Sequence, residues 1–131
     1  MNTFTKKERL NSKKDIHRLF EQGSTFFSYP FKVYFFFHQK GEKINQASVL
    51  FSVAKKQFKL AVDRNRIKRL CRESYRLNKS ILNTALEKNK SSVELAFVYV
   101  AKTSIEYDEL QKKMKKILLR LAEEKPEQNA E

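Results

Sequence analysis

The chain has 131 residues, with 28 Lys or Arg against 15 Asp or Glu and a net charge of +13, a length that suits one domain with a real core. A hydrophobic fraction of 40% and eleven Phe argue against intrinsic disorder, and no apolar run approaches the ~20 residues that span a bilayer. The opening MNTFTKKERLNSKK lacks the apolar stretch of a secretory signal and Cys71 is the one cysteine, so a cytosolic protein without disulfides, CxxC metal pattern or membrane contact is expected.

Ser12 with Asp15 three residues on forms a capping-box pattern, and Ile16, Leu19 and Phe20 predict a short amphipathic helix. It ends at Gln22-Gly23, with Gly23 suited to the left-handed position after a helix. From Phe31 to Phe37 the chain alternates as a strand, with Phe31, Val33, Phe35 and Phe37 facing one way and Lys32, Tyr34 and Phe36 the other. His38 to Gln46 reads as a hairpin connection to a strand over Ala47–Ala54, with Val49, Phe51 and Val53 on one face and Ser48, Leu50 and Ser52 on the other. A basic helix opens near Asp63, whose carboxylate suits free N–H groups and the positive end of the macrodipole. Ser80–Lys88 reads as a short extra turn of helix and Lys88–Ser92 as a loop. The mostly apolar Val93–Val100 reads as a strand inside the sheet.

The last helix runs from about Tyr107 to Ala122, with Tyr107, Leu110, Met114, Ile117, Leu118 and Leu121 as its stripe and Thr103 or Ser104 as its cap. Residues 1–122 thus form a single domain, and 123–131 an acidic, frayed tail. The order α-β-β-(β)-α-β-α is that of an α+β fold, an α-β sandwich with helices on a central mixed sheet.

Charge concentrates between Lys55 and Lys79. Ten Lys or Arg (Lys55, Lys56, Lys59, Arg64, Arg66, Lys68, Arg69, Arg72, Arg76 and Lys79) stand there against Asp63 and Glu73. On a helical wheel Arg64, Asn65, Lys68, Arg69, Arg72, Arg76 and Lys79 share one arc, while Ile67, Leu70, Cys71, Ser74 and Leu77 lie opposite and Arg66 lies apart. An ordinary solvated face mixes signs for i,i+4 pairing. This one is nearly all positive and rich in Arg, which suits bidentate phosphate recognition and points to a polyanion.

A second surface follows from the alternation in the Phe31–Phe37 strand. Tyr34 beside Lys32 makes a stacking platform for unpaired bases, with Ser52 on the same face and Phe20 as a wall. Packing under a helix is the competing reading, favoured for Phe36. No catalytic constellation is visible. His17 and His38 are distant surface residues, Cys71 packs as a small hydrophobe, Asp63 and Glu73 fit capping or ion pairing, and neither GxxxxGK[ST] nor GxGxxG occurs.

The run Ala61-Val62-Asp63-Arg64-Asn65-Arg66-Ile67-Lys68-Arg69-Leu70-Cys71-Arg72-Glu73 resembles the Arg-Asn-Arg signature of the protein subunit of bacterial ribonuclease P. The resemblance extends to Phe4–Leu10, Lys14–Phe20 with Gly23, Phe31–Tyr34, Phe51–Lys56 and Val98–Lys102. The chain departs from it at Ile16, where the family often has a second aromatic, and at Gln57-Phe58-Lys59-Leu60, where many members place a glycine.

The resemblance implies a left-handed βαβ crossover around the basic helix, although the general preference is right-handed. It implies two partners, ribonuclease P RNA and precursor tRNA. The RNA binds Mg²⁺ and removes the 5′ leader to leave a 5′-phosphate, while the protein holds no cofactor or metal tightly. Arg64, Asn65, Lys68, Arg69 and Arg72 are the expected RNA rail, with Lys55 and Lys56 at its edge and Arg66 supporting local structure or reaching RNA from the side. Phe20, Lys32, Tyr34 and Ser52 are the expected leader-binding cleft. The alternative is a non-enzymatic basic RNA-binding protein of ribosomal type; DNA is not an expected partner, since helix-turn-helix spacing and zinc ligands are missing.

Overall fold

In the computed structural model, which describes residues 8–39 and 47–124, the Ser12 side chain accepts from the Asp15 amide (3.3 Å) and opens α1 (Lys13–Gln22). Gly23 closes the helix, but in extended backbone with φ of −72° rather than the left-handed conformation expected of it. Its need for glycine is steric: a Cβ there would lie 2.5 Å from the Leu19 carbonyl oxygen and 3.0 Å from that of Phe35. The expected opening residues Phe4–Lys7 lie outside the described residues.

Four strands follow, β1 (Ser24–Ser28), β2 (Phe31–Gln39), β3 (Ala47–Val53) and β4 (Ser91–Tyr99), in the sheet order β1-β2-β4-β3. β1 pairs antiparallel with β2, β2 antiparallel with β4, and β3 parallel with β4. The expected hairpin between the second and third of these strands is therefore incorrect, because β4 lies between them. The reason is chemical: β4 carries Val93, Leu95, Phe97 and Tyr99 on one face and Ala96 and Val98 on the other and is buried almost throughout, so it takes a central place. His38 and Gln39 belong to β2, and 40–46 lie outside the described residues.

Between β3 and β4 the chain crosses through α2 (Ala61–Asn78) and α3 (Ser80–Asn89). The second is a full ten-residue helix rather than a short turn, and the expected loop before β4 shrinks to Lys90, in left-handed backbone with φ of 51°. α4 (Tyr107–Glu123) completes the order and reaches one residue into the stretch expected to fray; 125–131 lie outside the described residues. Neither expected cap holds. α2 starts at Ala61, two residues before Asp63, and α4 follows Glu106 without a side-chain cap. Thr103 instead offers its carbonyl to the Tyr99 hydroxyl (2.7 Å).

The strand faces are those read from the alternation. Phe31, Val33, Phe35, Phe37, Val49, Phe51 and Val53 join Leu95, Phe97 and Tyr99 against Ile67, Cys71 and Tyr75 of α2, Leu82 and Leu86 of α3, and the Leu110–Leu121 stripe of α4. The other face carries a smaller cluster, in which Leu10, Ile16 and Leu19 cover Ala96, Tyr34, Phe36 and Leu50. Among the described residues, the sheet thus separates a three-helix layer from a layer holding α1. On the outer side of β3, Arg9 bridges to Val49 and the Leu10 amide donates to the Val49 carbonyl (2.9 Å), which occupies that edge.

Candidate nucleic-acid interface

The buried stripe of α2 is Ile67, Cys71, Ser74 and Tyr75, an i, i+4, i+7, i+8 pattern. Tyr75, which the wheel leaves among the basic residues, is fully buried, 6.0 Å from the Phe51 ring and 6.2 Å from that of Phe97. Leu77, expected to pack, is 40% exposed. The helix is therefore rotated from its expected orientation. Arg64, Lys68 and Arg72 are half-buried shoulders, and Asn65, Arg66 and Arg69 are exposed.

Three cations of the segment are engaged within the fold. Arg64 Nη1 donates to the carbonyls of Phe58 (2.8 Å) and Lys59 (2.9 Å), closing the turn before the helix. Lys79 is buried with its Nζ 2.7 Å from the Glu8 carboxylate, which removes it from the arc where the wheel put it. Arg76 Nε donates to Glu73 (3.1 Å); this bond holds the Glu73 carboxyl below its usual range and raises Arg76. Within Arg64-Asn65-Arg66 a local supporting role thus falls to Arg64, which the sequence placed on the rail, while Arg66, for which support or sideways reach was expected, makes no such brace. Arg64 braces the turn and Arg66 faces solvent.

Lys55 and Lys56 are exposed on that turn, where the Ala54 carbonyl accepts from the amides of Gln57 and Phe58 (3.2 Å each). Phe58 anchors it, 6.0 Å from the Tyr99 ring. Among the described non-glycine residues only Lys90 has a positive φ, so this turn forms without glycine. Asn65, Arg66, Lys68, Arg69 and Arg72 therefore make one cationic helix surface, flanked by Lys55 and Lys56.

The second surface lies on the α1 side of the sheet. Phe20, in the last turn of α1, meets Tyr34 edge-on at 4.5 Å between ring centroids, and Lys32 Nζ lies 5.3 Å from the Tyr34 ring. Phe20 packs on Tyr34 and stays 38% exposed. Register aligns Phe27, Lys32, Val98 and Ser52 across all four strands, so Lys32 and Ser52 flank Val98 on one face. Phe20, Tyr34 and Lys32 therefore cluster at the C-terminal end of α1, and Ser52 lies on the same face of the sheet across Val98. The sequence reading missed Phe27, 62% exposed at the β1 end of this row; its alternation with buried Phe26 was the available signal.

A polar clamp holds α1 in place. Arg18 Nη2 reaches the nearly buried Glu94 carboxylate at 2.8 Å and Asp15 at 3.2 Å, while His38 Nε2 approaches the same Glu94 oxygen at 3.3 Å. The Arg18 guanidinium also lies 5.5 Å from the Phe36 ring. Phe36 packs beneath the helix as expected, and His38 is half-buried in this cluster rather than a plain surface residue. His17 is exposed, 3.3 Å from Glu21.

Among the described residues no group of three or more His, Cys, Asp or Glu is placed to hold a metal ion. Burial pushes the Cys71 thiol up to about 12, with nearby Arg72 pulling weakly the other way. That is the behaviour of a packed, inert side chain. No helix among the described residues is long and apolar enough to cross a membrane.

Comparison with known proteins agrees with this architecture. The family model Ribonuclease P matches residues 4–122. The ribonuclease P protein component of Porphyromonas gingivalis is 38% identical over 118 residues, covering 90% of this chain and 85% of the relative. That of Chlorobaculum tepidum is 57% identical over 58 residues, covering 41% of this chain and 38% of its own. A mutant RNase P protein from Staphylococcus aureus superposes with a TM-score of 0.64 at 25% identity over 89% of both chains. The Thermotoga maritima RNase P protein shares the fold, with a TM-score of 0.63 at 22% identity over 86% of this chain and 96% of its own. The chain belongs to the ribonuclease P protein family, which gives it a role in the ribonuclease P holoenzyme, a ribonuclease P RNA partner and a part in tRNA 5′ processing.

Proposed function

We propose that this chain binds the catalytic RNA of ribonuclease P through the open face of α2 and grips the 5′ leader of precursor tRNA on the sheet beside α1. The observation that carries the reading is the Phe20–Tyr34–Lys32 cluster, two rings and a cation at the exposed end of a sheet face. Stacking on Tyr34 accepts any base, and Lys32 neutralises the neighbouring phosphate. Asn65, Arg66, Lys68, Arg69 and Arg72, with Lys55 and Lys56, screen repulsion between two RNAs. Arg64 contributes by bracing the turn that presents Arg66. The surfaces lie on opposite faces of the sheet, and the chain passes from one to the other through 54–60.

In this reading the RNA subunit carries Mg²⁺ and cuts the phosphodiester at the leader–tRNA junction, leaving a 5′-phosphate on the tRNA. The protein supplies binding and orientation and no reacting group. It works in the cytoplasm, where precursor tRNA is made. The test is reconstitution with a bacterial ribonuclease P RNA at low Mg²⁺. Added protein should accelerate leader removal, and the protein alone should cleave nothing. Cleavage by the protein alone, or no acceleration, would overturn the reading.

A further inference from the structure

The row Phe27–Lys32–Val98–Ser52 ends in an aromatic ring that the fold does not use. Its neighbour Phe26 is buried, with the Arg120 guanidinium 4.0 Å from its ring, whereas Phe27 is 62% exposed on a five-residue strand at the sheet edge. A solitary exposed Phe calls for no explanation. This one is the direct cross-strand neighbour of Lys32, whose ammonium already lies over Tyr34. From the end of α1 outward the face therefore presents Phe20, Tyr34, Lys32 and Phe27, rings on either side of a cation. The next row across the sheet is Thr25, Tyr34, Ala96 and Leu50. Neither row contains a carboxylate, and the Glu94 carboxylate of the following row is nearly buried and paired with Arg18.

We propose that Phe27 extends the leader site to the sheet edge, as a second stacking platform for leader nucleotides that have passed Tyr34 and Lys32. This rests on the reading of the α1-side face as the leader site. The occupant is single-stranded RNA because a bare ring beside a lysine suits a base and its phosphate, on a chain with a net charge of +13. Direction follows from the topology. α2 follows β3 in the chain and packs on it, and β1 is the opposite edge of the sheet. A strand crossing the row from the α2 side meets Ser52 first and Phe27 last, roughly 14 Å away at ordinary strand spacing. Phe27 thus contacts the nucleotides furthest from the cleavage point.

The test uses holoenzyme reconstituted with a bacterial ribonuclease P RNA and either Phe27→Ala or Phe27→Trp protein. Affinity is measured for precursor tRNA with a full leader, for the same RNA with its leader clipped from the 5′ end, and for mature tRNA. Phe27→Ala should weaken the full-leader complex by about 5-fold or more and leave the other two unchanged, because one base–aromatic stack is removed. Phe27→Trp should restore full affinity. Equal loss for all three RNAs, or none for any, overturns the proposal.

Tyr34→Ala separates this proposal from the reading beneath it. If Tyr34→Ala weakens both leader-bearing RNAs and Phe27→Ala weakens neither, the platform fails and the leader site stands. If neither substitution discriminates leader-bearing from mature tRNA, both fall. A dimer of the free protein that Phe27→Ala dissociates would instead assign the ring to a second copy of the chain, and the proposal would be rejected.

Discussion

Arg18 and Glu94 lie 76 positions apart in the chain and meet at 2.8 Å, tying α1 to the central strand of the sheet it covers. Few apolar residues fasten α1, since Leu19 is its one fully buried side chain. The clamp therefore contributes to the position of Phe20 over Tyr34. Arg18→Ala leaves the Glu94 carboxylate nearly buried without its guanidinium and should cost about 3 kcal/mol, the lower end for a broken buried pair. Urea unfolding would show it as a lowered midpoint with an unchanged slope. Adding Glu94→Gln to that variant should recover part of the loss, because a neutral amide is less costly to bury than a carboxylate.

Gly23→Ala should destabilise the protein by about 1–3 kcal/mol, the usual cost of overpacking. The backbone torsion would accept alanine, so the effect comes from the added methyl against the Leu19 carbonyl and side chain and the Phe35 carbonyl. Thermal unfolding reads it directly. A variant as stable as the parent would mean that the α1–β1 joint yields freely.

The two arginines of Arg64-Asn65-Arg66 should separate experimentally. Arg64→Ala removes charged donors from two turn carbonyls and should lower stability by about 1.5–3 kcal/mol. Arg66→Ala should change stability by no more than about 0.5 kcal/mol. It should instead reduce the salt slope of RNA affinity by about 0.7–0.9 for each phosphate that Arg66 no longer neutralises. Denaturation and binding across a salt series, run on both variants, check the separation.

Alkaline pH should unfold this protein through its buried acids. Burial raises Cys71 from 9.0 and Tyr99 from 10.0 to about 12 each, and raises Tyr75 as well. The folded state holds these protons more tightly than the unfolded chain does. The associated stability is complete below pH 9 and falls as pH climbs toward 12, by at most about 1.4 kcal/mol per pH unit for each group. Cys71→Ala should flatten the first part of that decline in a stability–pH profile, at some cost in packing.

The legible parts of the fold were those where one face alone decides. The alternation from Phe31 to Phe37 sorted the main-core face from the α1-side face because a strand has a period of two, and the Leu110–Leu121 stripe marked α4 for the corresponding helical reason. Strand order was not legible. Pairing β3 with β4 across two intervening helices is a long-range choice, and only the double-sided burial of β4 hinted at it. The orientation of α2 was hidden at Tyr75, whose spacing from Arg64 puts it beside Arg64 and Lys68 on a wheel while its ring belongs in the core. Lys79 and Arg64 likewise read as free cations. Their partners, the Glu8 carboxylate and two backbone carbonyls, exist only once the chain has folded.

The burial of Cys71 leaves the protein with its sole thiol shut away and almost wholly protonated at neutral pH. A cysteine introduced on the exposed β1 edge or on the outer face of α2 would then be the only one a maleimide dye or photocrosslinker finds. Distances to RNA could be measured with the native residue left in place.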